Sequence, residues 1–384
     1  MRTFSVCALL IALNISYAAN SQPLPNLDEP AQQMGELIQT LEQHTEVVTL
    51  GEPNSEMLVI LPDVGAIVLG AAPGGVQDWN LLWATPKIKD AAYWEKPGSL
   101  IGGVRTNIAP QWGGPRHNLI KTGYRGSVSG GRYQVKALSA REAVLDIPFH
   151  LKSDAGYEYR GIVTRTIALL PEDETPEPAG VWGVGFSITH TLSNTGGNTW
   201  GQDADPIGLW YIGMVAAGGT GVAPITPGSE KAWRDYTSGG QGIPLDRVGQ
   251  SDESVVFKAD GKYISKIGTT AKRTRPFAAY LRHTHGDPGL LMITQFLIDP
   301  AARYVDRPRN NQTGIGDIVQ FYTGDGSKGH YLEVENHSPA MNLAPGESQS
   351  HTTNTWLWTG PMAELKALAT RTMTIDMDQV PYFK

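Results

Sequence analysis

The chain reads as an all-β protein: a large antiparallel β-sandwich with short helices only near its termini. Three observations predict this. Short runs rich in Val, Ile, Thr, Tyr and Trp recur from residue 46 onward, separated by turn residues. Gly 44 and Pro 26 suit many strands joined by many turns. No self-similar period of about 20–50 residues repeats, which argues against a propeller or a solenoid.

Residues 1–18 read as an export signal. Arg2 gives the positive start, Phe4–Ala12 the apolar stretch, and Ser16-Tyr17-Ala18 the small residues a signal peptidase reads, so cleavage is expected near Ala18. The stretch is too short to span a bilayer, which takes about 20 apolar residues, and no other segment reaches that length. Cys7, the only cysteine, lies inside the signal. The mature chain is therefore expected to hold no disulfide and no thiol nucleophile, to be exported to the periplasm or the exterior, and to make no membrane contact. Residues 19–45 follow as a linker and one short helix over Pro30–His44. Met34, Leu37, Ile38 and Leu41 fall three and four apart, and Asp28 or Glu29 can cap the start.

Residues 46–384 are expected to form a single sandwich domain, with no composition shift to mark a second. Met57–Leu61 and Ala66–Leu69 flank the turn Pro62-Asp63-Val64-Gly65. Arg132–Ala137, Ala143–Leu151, Tyr157–Leu169 and Val181–Leu192 follow as strands, then Val255–Phe257, Tyr263–Ile267, Phe277–Arg282 and Leu290–Ile298. Pro171–Pro178, Thr195–Asp205 and Gly218–Gln241 read as loops, the last two long and Gly-rich. Tyr331–Gly360 reads as a strand, a tight connection through Pro345-Gly346 and a second strand. Pro361 opens a last helix over Met362–Thr370.

Charged residues make up only 18% of the chain, the net charge is −7, and no basic tract occurs, so nucleic acid is not an expected partner. There is no phosphate-binding loop, no Gly-x-Ser-x-Gly elbow and no His-Glu-x-x-His helix. Ten Trp and fourteen Tyr supply flat faces that stack on sugar rings, although any single Trp more often fills a core.

The sharpest feature lies in Tyr331–Gly360. Side chains alternate along a strand, so Leu332 and Val334 point one way and Glu333 and Glu335 the other. The apolar pair can enter a core while the acidic pair faces a cleft. Arg105, within Gly102-Gly103-Val104-Arg105, has a planar fork suited to a sugar hydroxyl or a carboxylate, and Gln111 and Trp112 follow between glycines as a candidate rim. The plainer reading of Arg105 is a brace for a glycine-rich corner. His190 can transfer a proton near its ordinary pKa or serve as a hydrogen-bonded sheet histidine. His283 and His285 have the His-x-His spacing that metals exploit, with His330 or the glutamates to complete a site, but two exposed loop histidines are the favoured reading. No metal or other cofactor is required by these motifs, and a divalent cation stays open. Lys266, in Asp260–Gly268, is a ligand or carboxylate partner, or part of a solvated edge.

Phe257–Gly268, Ala302-Arg303-Tyr304-Val305 and Tyr331–Gly360, with its Ser338-Pro339-Ala340 and Leu343–Ser348 segments, resemble an exported, uncharacterised bacterial family with a galactose-mutarotase-like (aldose 1-epimerase-like) fold. Gly103-Val104-Arg105 through Pro110-Gln111 resembles that family's N-terminal Gly-Gly-x-Arg…Pro-Glu signature, with Gln111 in place of the acid. The resemblance covers roughly residues 50–360. It implies a supersandwich with a sugar cleft on its concave face. It further implies a glutamate base, Glu333 or Glu335, a histidine acid, His190 or His283, and Arg105 as a substrate-holding arginine. The histidine motif of the mutarotases, followed by Tyr-Phe-Asn, is missing.

The expected function is carbohydrate-directed, on a mono- or oligosaccharide. An epimerase, lyase or hydrolase competes with a non-catalytic glycan-binding module. Glu333 and Glu335 sit roughly 6–7 Å apart along one strand, where they share one side of a sugar and not two. A lyase would need a cation against a uronate, a role open to Arg105 and Lys266. The sequence leaves the oligomeric state undefined.

Overall fold

The computed structural model describes residues 32–95, 100–110, 128–153, 156–174, 177–201, 206–237, 242–283, 288–309 and 314–383. The expected signal segment with Cys7, and the candidates Gln111, Trp112 and His285, lie outside the described residues.

Two antiparallel sheets face each other. The nine-stranded sheet runs in the order β1 (Val48–Gly51), β2 (Met57–Leu61), β3 (Ile67–Ala72), β4 (Val104–Ala109), β9 (Gly208–Ala216), β18 (Tyr331–His337), β17 (Asp317–Thr323), β14 (Ser265–Thr270) and β11 (Trp233–Asp235). The ten-stranded sheet runs β12 (Val248–Gln250), β13 (Ser254–Ala259), β10 (Gly219–Pro224), β15 (Phe277–Arg282), β16 (Gly289–Phe296), β19 (Ser348–Gly360), β8 (Trp182–Asn194), β7 (Glu158–Leu169), β6 (Glu142–Lys152) and β5 (Gln134–Leu138). Their facing sides form the main core, with Val104, Ile108, Tyr211, Leu332 and Val334 from one sheet and Phe186, Ile188, Tyr280, Met292 and Leu357 from the other.

The outer faces are covered differently. Helix α1 (Met34–Leu41) lays Met34, Leu37 and Leu41 on β2 and β3. The helix covers Met34–Leu41, the run of its apolar spacing, and is shorter than the expected span Pro30–His44. Helix α3 (Met362–Met373) lays Leu365, Leu368, Ala369 and Met373 on the outer face of the ten-stranded sheet. A short helix, α2 (Ala91–Trp94), lies between β3 and β4.

Several strands run through segments without a clear period. β9 is buried on both faces, so its Gly-Leu-Trp-Tyr-Ile-Gly-Met-Val run shows no alternation. The expected loop Gly218–Gln241 holds β10 and β11 instead. Glycine disguises β10 because its neighbours approach closely: a Cβ on Gly219 would stand 2.2 Å from the Leu281 oxygen, and one on Gly221 would stand 2.9 Å from the Phe321 ring. Tyr331–Gly360 does give two strands, but β18 and β19 belong to different sheets, so the turn between them crosses the sandwich.

Candidate functional site

The central strands of the nine-stranded sheet align in cross-strand rows. Arg105 on β4 pairs with Ile212 on β9, Ile212 with Glu335 on β18, Glu335 with Gln320 on β17, Gln320 with Gly268 on β14, and Gly268 with Arg234 on β11. Paired residues project to the same side of a sheet. The neighbouring row runs Met214, Glu333, Tyr322 and Lys266. A third contains Asn107, Trp210 and His337. This side faces away from the ten-stranded sheet, because the alternating residues Leu332, Val334 and Phe321 fill the core between the sheets.

Two long cations reach the acidic strand from opposite flanks. Arg105 crosses above β9 and its Nη2 donates to Glu333 Oε1 at 2.8 Å. Lys266 crosses above β17 and its Nζ donates to Glu335 Oε2 at 2.9 Å. Trp210 Nε1 donates to the same Oε2 at 2.7 Å, and the Lys266 ammonium stands 4.7 Å from the Trp210 ring centroid. Arg105 and Glu333 keep 18% and 9% of their side-chain surface, whereas Lys266 keeps 7% and Glu335 none. Burial pushes the Glu335 carboxyl up to about 7; Lys266 opposes the shift and Glu333 adds to it. Glu335 Oε1 has no hydrogen-bond partner among the described residues. Trp83, Tyr331 and Tyr322 line the rim beside the pair, with ring centroids 4.7 Å apart for Trp83–Tyr331 and 6.3 Å for Tyr322–Tyr331. Burial and Glu333 push the Tyr322 phenol up to about 12 and raise that of Tyr331, so both hold their protons at neutral pH.

At the β11 end, Arg234 grips Asp317 with Nε at 2.9 and 3.0 Å and Nη2 at 2.8 Å. Asp317 has no exposed surface, and burial pushes it up to about 6 despite Arg234. Gly268 makes room for this pair: a Cβ there would stand 2.6 Å from the Tyr236 ring and 2.7 Å from Asp317 Oδ2.

The sequence-predicted residues therefore divide. Arg105, Lys266, Glu333 and Glu335 come together. Lys266 is a buried member of the face and not an edge residue, since β14 lies between β17 and β11. The two described histidines proposed as acids do not join them. His190 shares the inward side of β8 with Phe186, Ile188 and Leu192, and its Nε2 lies 2.7 Å from Thr106 Oγ1 between the sheets. Strand parity decides this: Thr106 is next to Arg105 and points the opposite way. Burial and the Arg165 charge hold the His190 imidazole far below its usual range. His283 lies on the other sheet, with Nε2 2.9 Å from Thr220 Oγ1 and its ring edge-on to Tyr382 under the C-terminal segment. His330 turns toward the Gly261 carbonyl, 3.0 Å from Nδ1. Among the described residues no group of three or more His, Cys, Asp or Glu is arranged to hold a metal ion.

Sequence reasoning overlooked His337, although the alternation that aligns Glu333 with Glu335 places His337 next in the series. Its ring stacks on Trp210 at 5.8 Å, its Nε2 lies 4.0 Å from Asp306 Oδ2, and burial drives its pKa down to about 4. Trp210 itself carries no local signal, because its strand is apolar on both faces.

The architecture matches solved structures. A putative aldose 1-epimerase from Escherichia coli K12 aligns over 81% of this chain and 98% of its own, at 14% identity and a TM-score of 0.51. A galactose mutarotase-like protein from Lactobacillus casei ATCC 334 aligns over 81% of this chain and all of its own (100%), at 12% identity and a TM-score of 0.51. The fold is thus a galactose mutarotase-like β-sandwich. No curated protein sequence matches the chain. Residues 32–383 match the model of the "Family of unknown function (DUF6786)", and the chain belongs to that family.

Proposed function

We propose that the outer face of the nine-stranded sheet is a saccharide site and that Glu335 is its proton-transferring group. One observation carries this reading: a buried carboxyl at the centre of a cross-strand row, pushed up to about 7 and held by Lys266 and Trp210. A group that titrates near neutral pH can accept and return a proton with little driving-force penalty. The likeness to the Escherichia coli aldose 1-epimerase-type and Lactobacillus casei galactose mutarotase-like structures supports a sugar as the ligand.

Epimerase-type chemistry fits these residues better than a two-carboxylate hydrolysis. The two glutamates stand on one strand and so approach one side of a ring, whereas a hydrolase needs them on opposing sides. In this reading Glu335 takes the proton of an anomeric hydroxyl while Tyr322, a neutral phenol on the same face, gives one to the ring oxygen. The ring opens and recloses on the other side as both protons return. The Arg105–Glu333 pair, nearer solvent, orients the remaining hydroxyls.

A second reading, glycan binding without turnover, has its own support in the closure of the Lys266–Glu335 pair, since Glu335 has no exposed surface. The deciding experiment monitors anomeric exchange of a sugar panel by NMR alongside binding. We expect Glu335→Gln to lower conversion by about 10²-fold or more while binding changes by less than about tenfold. Binding by the wild type without conversion leaves the module reading in place, and no binding by any sugar removes both.

A further inference from the structure

The saccharide reading leaves the ligand's charge open, and the row through Glu335 bears on it. Its ends are two arginines, Arg105 on β4 and Arg234 on β11, five strand spacings or roughly 24 Å apart. That is longer than one sugar ring. Both arginines keep solvent contact, with 18% and 20% of their side-chain surface exposed. Arg307 adds a cation at the β11 end: its Nε donates to the Gly314 oxygen at 2.9 Å, and Arg234 Nη2 donates to the adjoining Ile315 oxygen at 2.8 Å. Each of Arg105, Lys266 and Arg234 is matched by a carboxylate of the same face. Two of those three carboxylates, Glu335 and Asp317, have no exposed surface.

We propose that this face takes an acidic saccharide, a uronic acid or an oligosaccharide containing one, whose carboxylate replaces Asp317 at Arg234 and leaves Glu335 free for proton transfer. The inference rests on the saccharide reading above. Its physical basis is an exchange of anions. The ligand carboxylate accepts the hydrogen bonds of the cation, and the displaced side chain takes a proton from solvent, so one negative charge and one proton enter together. Asp317 faces Arg234 from β11, Tyr236 just past β11, and Asp306. Burial already disfavours the ionised form of Asp317, so the exchange asks little of it. A neutral sugar has no such trade to make and leaves the ion pairs closed.

The test is calorimetric titration of the full chain with di- and trisaccharides of galacturonate and glucuronate, and with the matching neutral sugars. Each titration is run in two buffers of different ionisation enthalpy. Acidic sugars are expected to bind with net proton uptake near neutral pH, and to weaken by up to about tenfold for each pH unit above about 6. Arg234→Gln is expected to lower their affinity by about tenfold or more, and Arg234→Lys to retain most of it. Equal affinity for neutral and acidic sugars, or acidic binding without proton uptake, overturns the inference. Binding of neutral sugars alone sinks it while leaving the saccharide site standing, and binding of neither class removes both. Should Arg234→Gln fail to fold, the proton count on the wild type decides.

Discussion

Glu335 has no exposed surface, lies against one ammonium and one indole N–H, and titrates more than two units above an ordinary glutamate. That shift makes stability depend on pH with a definite sign. Between about 4.5 and about 7 the folded protein keeps this proton and the unfolded chain has lost it. The contribution to stability therefore falls as pH rises through that window, by up to about 1.4 kcal/mol per unit, and is constant above it. Glu335→Gln cannot ionise, so its denaturant midpoint measured from pH about 5 to about 8 should lack that component. An unchanged pH dependence in the variant would place the carboxyl in an ordinary, hydrated state. Above pH about 7, where Glu335 is ionised, the variant is also expected to lose about 3–5 kcal/mol, because Lys266 remains buried without its anion. Lys266→Met with Glu335→Gln should recover much of that loss in the same measurement.

At the scale of elements, the face is built by register. Arg105 and Lys266 lie two strands away from β18, one on each side, and each spans one intervening strand to reach its glutamate. Packing at Gly268 sets the far end of the row. Gly268→Ala would push a methyl into Tyr236 and Asp317, and is expected to cost about 1–3 kcal/mol and to loosen the Arg234 end without disturbing Arg105. Urea unfolding checks the first effect, and amide hydrogen exchange in β11 compared with β4 checks the second. On the inward side of β18, Val334→Asp buries a charge between the sheets and should prevent folding at ordinary temperature, whereas Glu333→Gln, on the opposite side of the same strand, should leave a folded protein by circular dichroism.

Across the whole molecule, three buried histidines held neutral oppose, among the described residues, two fully buried acids whose pKa values are raised, Glu335 and Asp317. His190, His337 and His351 are all held below their usual range, the last two at about 4. Each must gain a proton on unfolding below about pH 6.5, so their combined contribution to stability falls as pH drops, by up to about 4 kcal/mol per unit. Glu335 and Asp317 act in the other direction, over about 4.5–7 and 3.8–6. The sum predicts stability that rises by about 1 kcal/mol per unit from pH about 5 to about 6.5 and levels off between about 7 and about 8. Chemical denaturation across this range should trace that profile. Stability that keeps rising toward pH 5 would contradict the neutral state of these histidines.

Sequence alternation by itself determined the all-β class, most of the alternating strands and the shared face of Glu333 and Glu335, because those follow from a period of two within one strand. Arg105 and Lys266 were legible as residue types suited to a carboxylate partner. Only the tertiary structure decided that they meet the glutamates, that His190 turns inward behind Thr106, and that Trp210 and Arg234 belong to the same face. Pairing between strands distant in the chain carries no local periodic signal, and strands buried on both sides, such as β9, erase the alternation on which sequence reading depends.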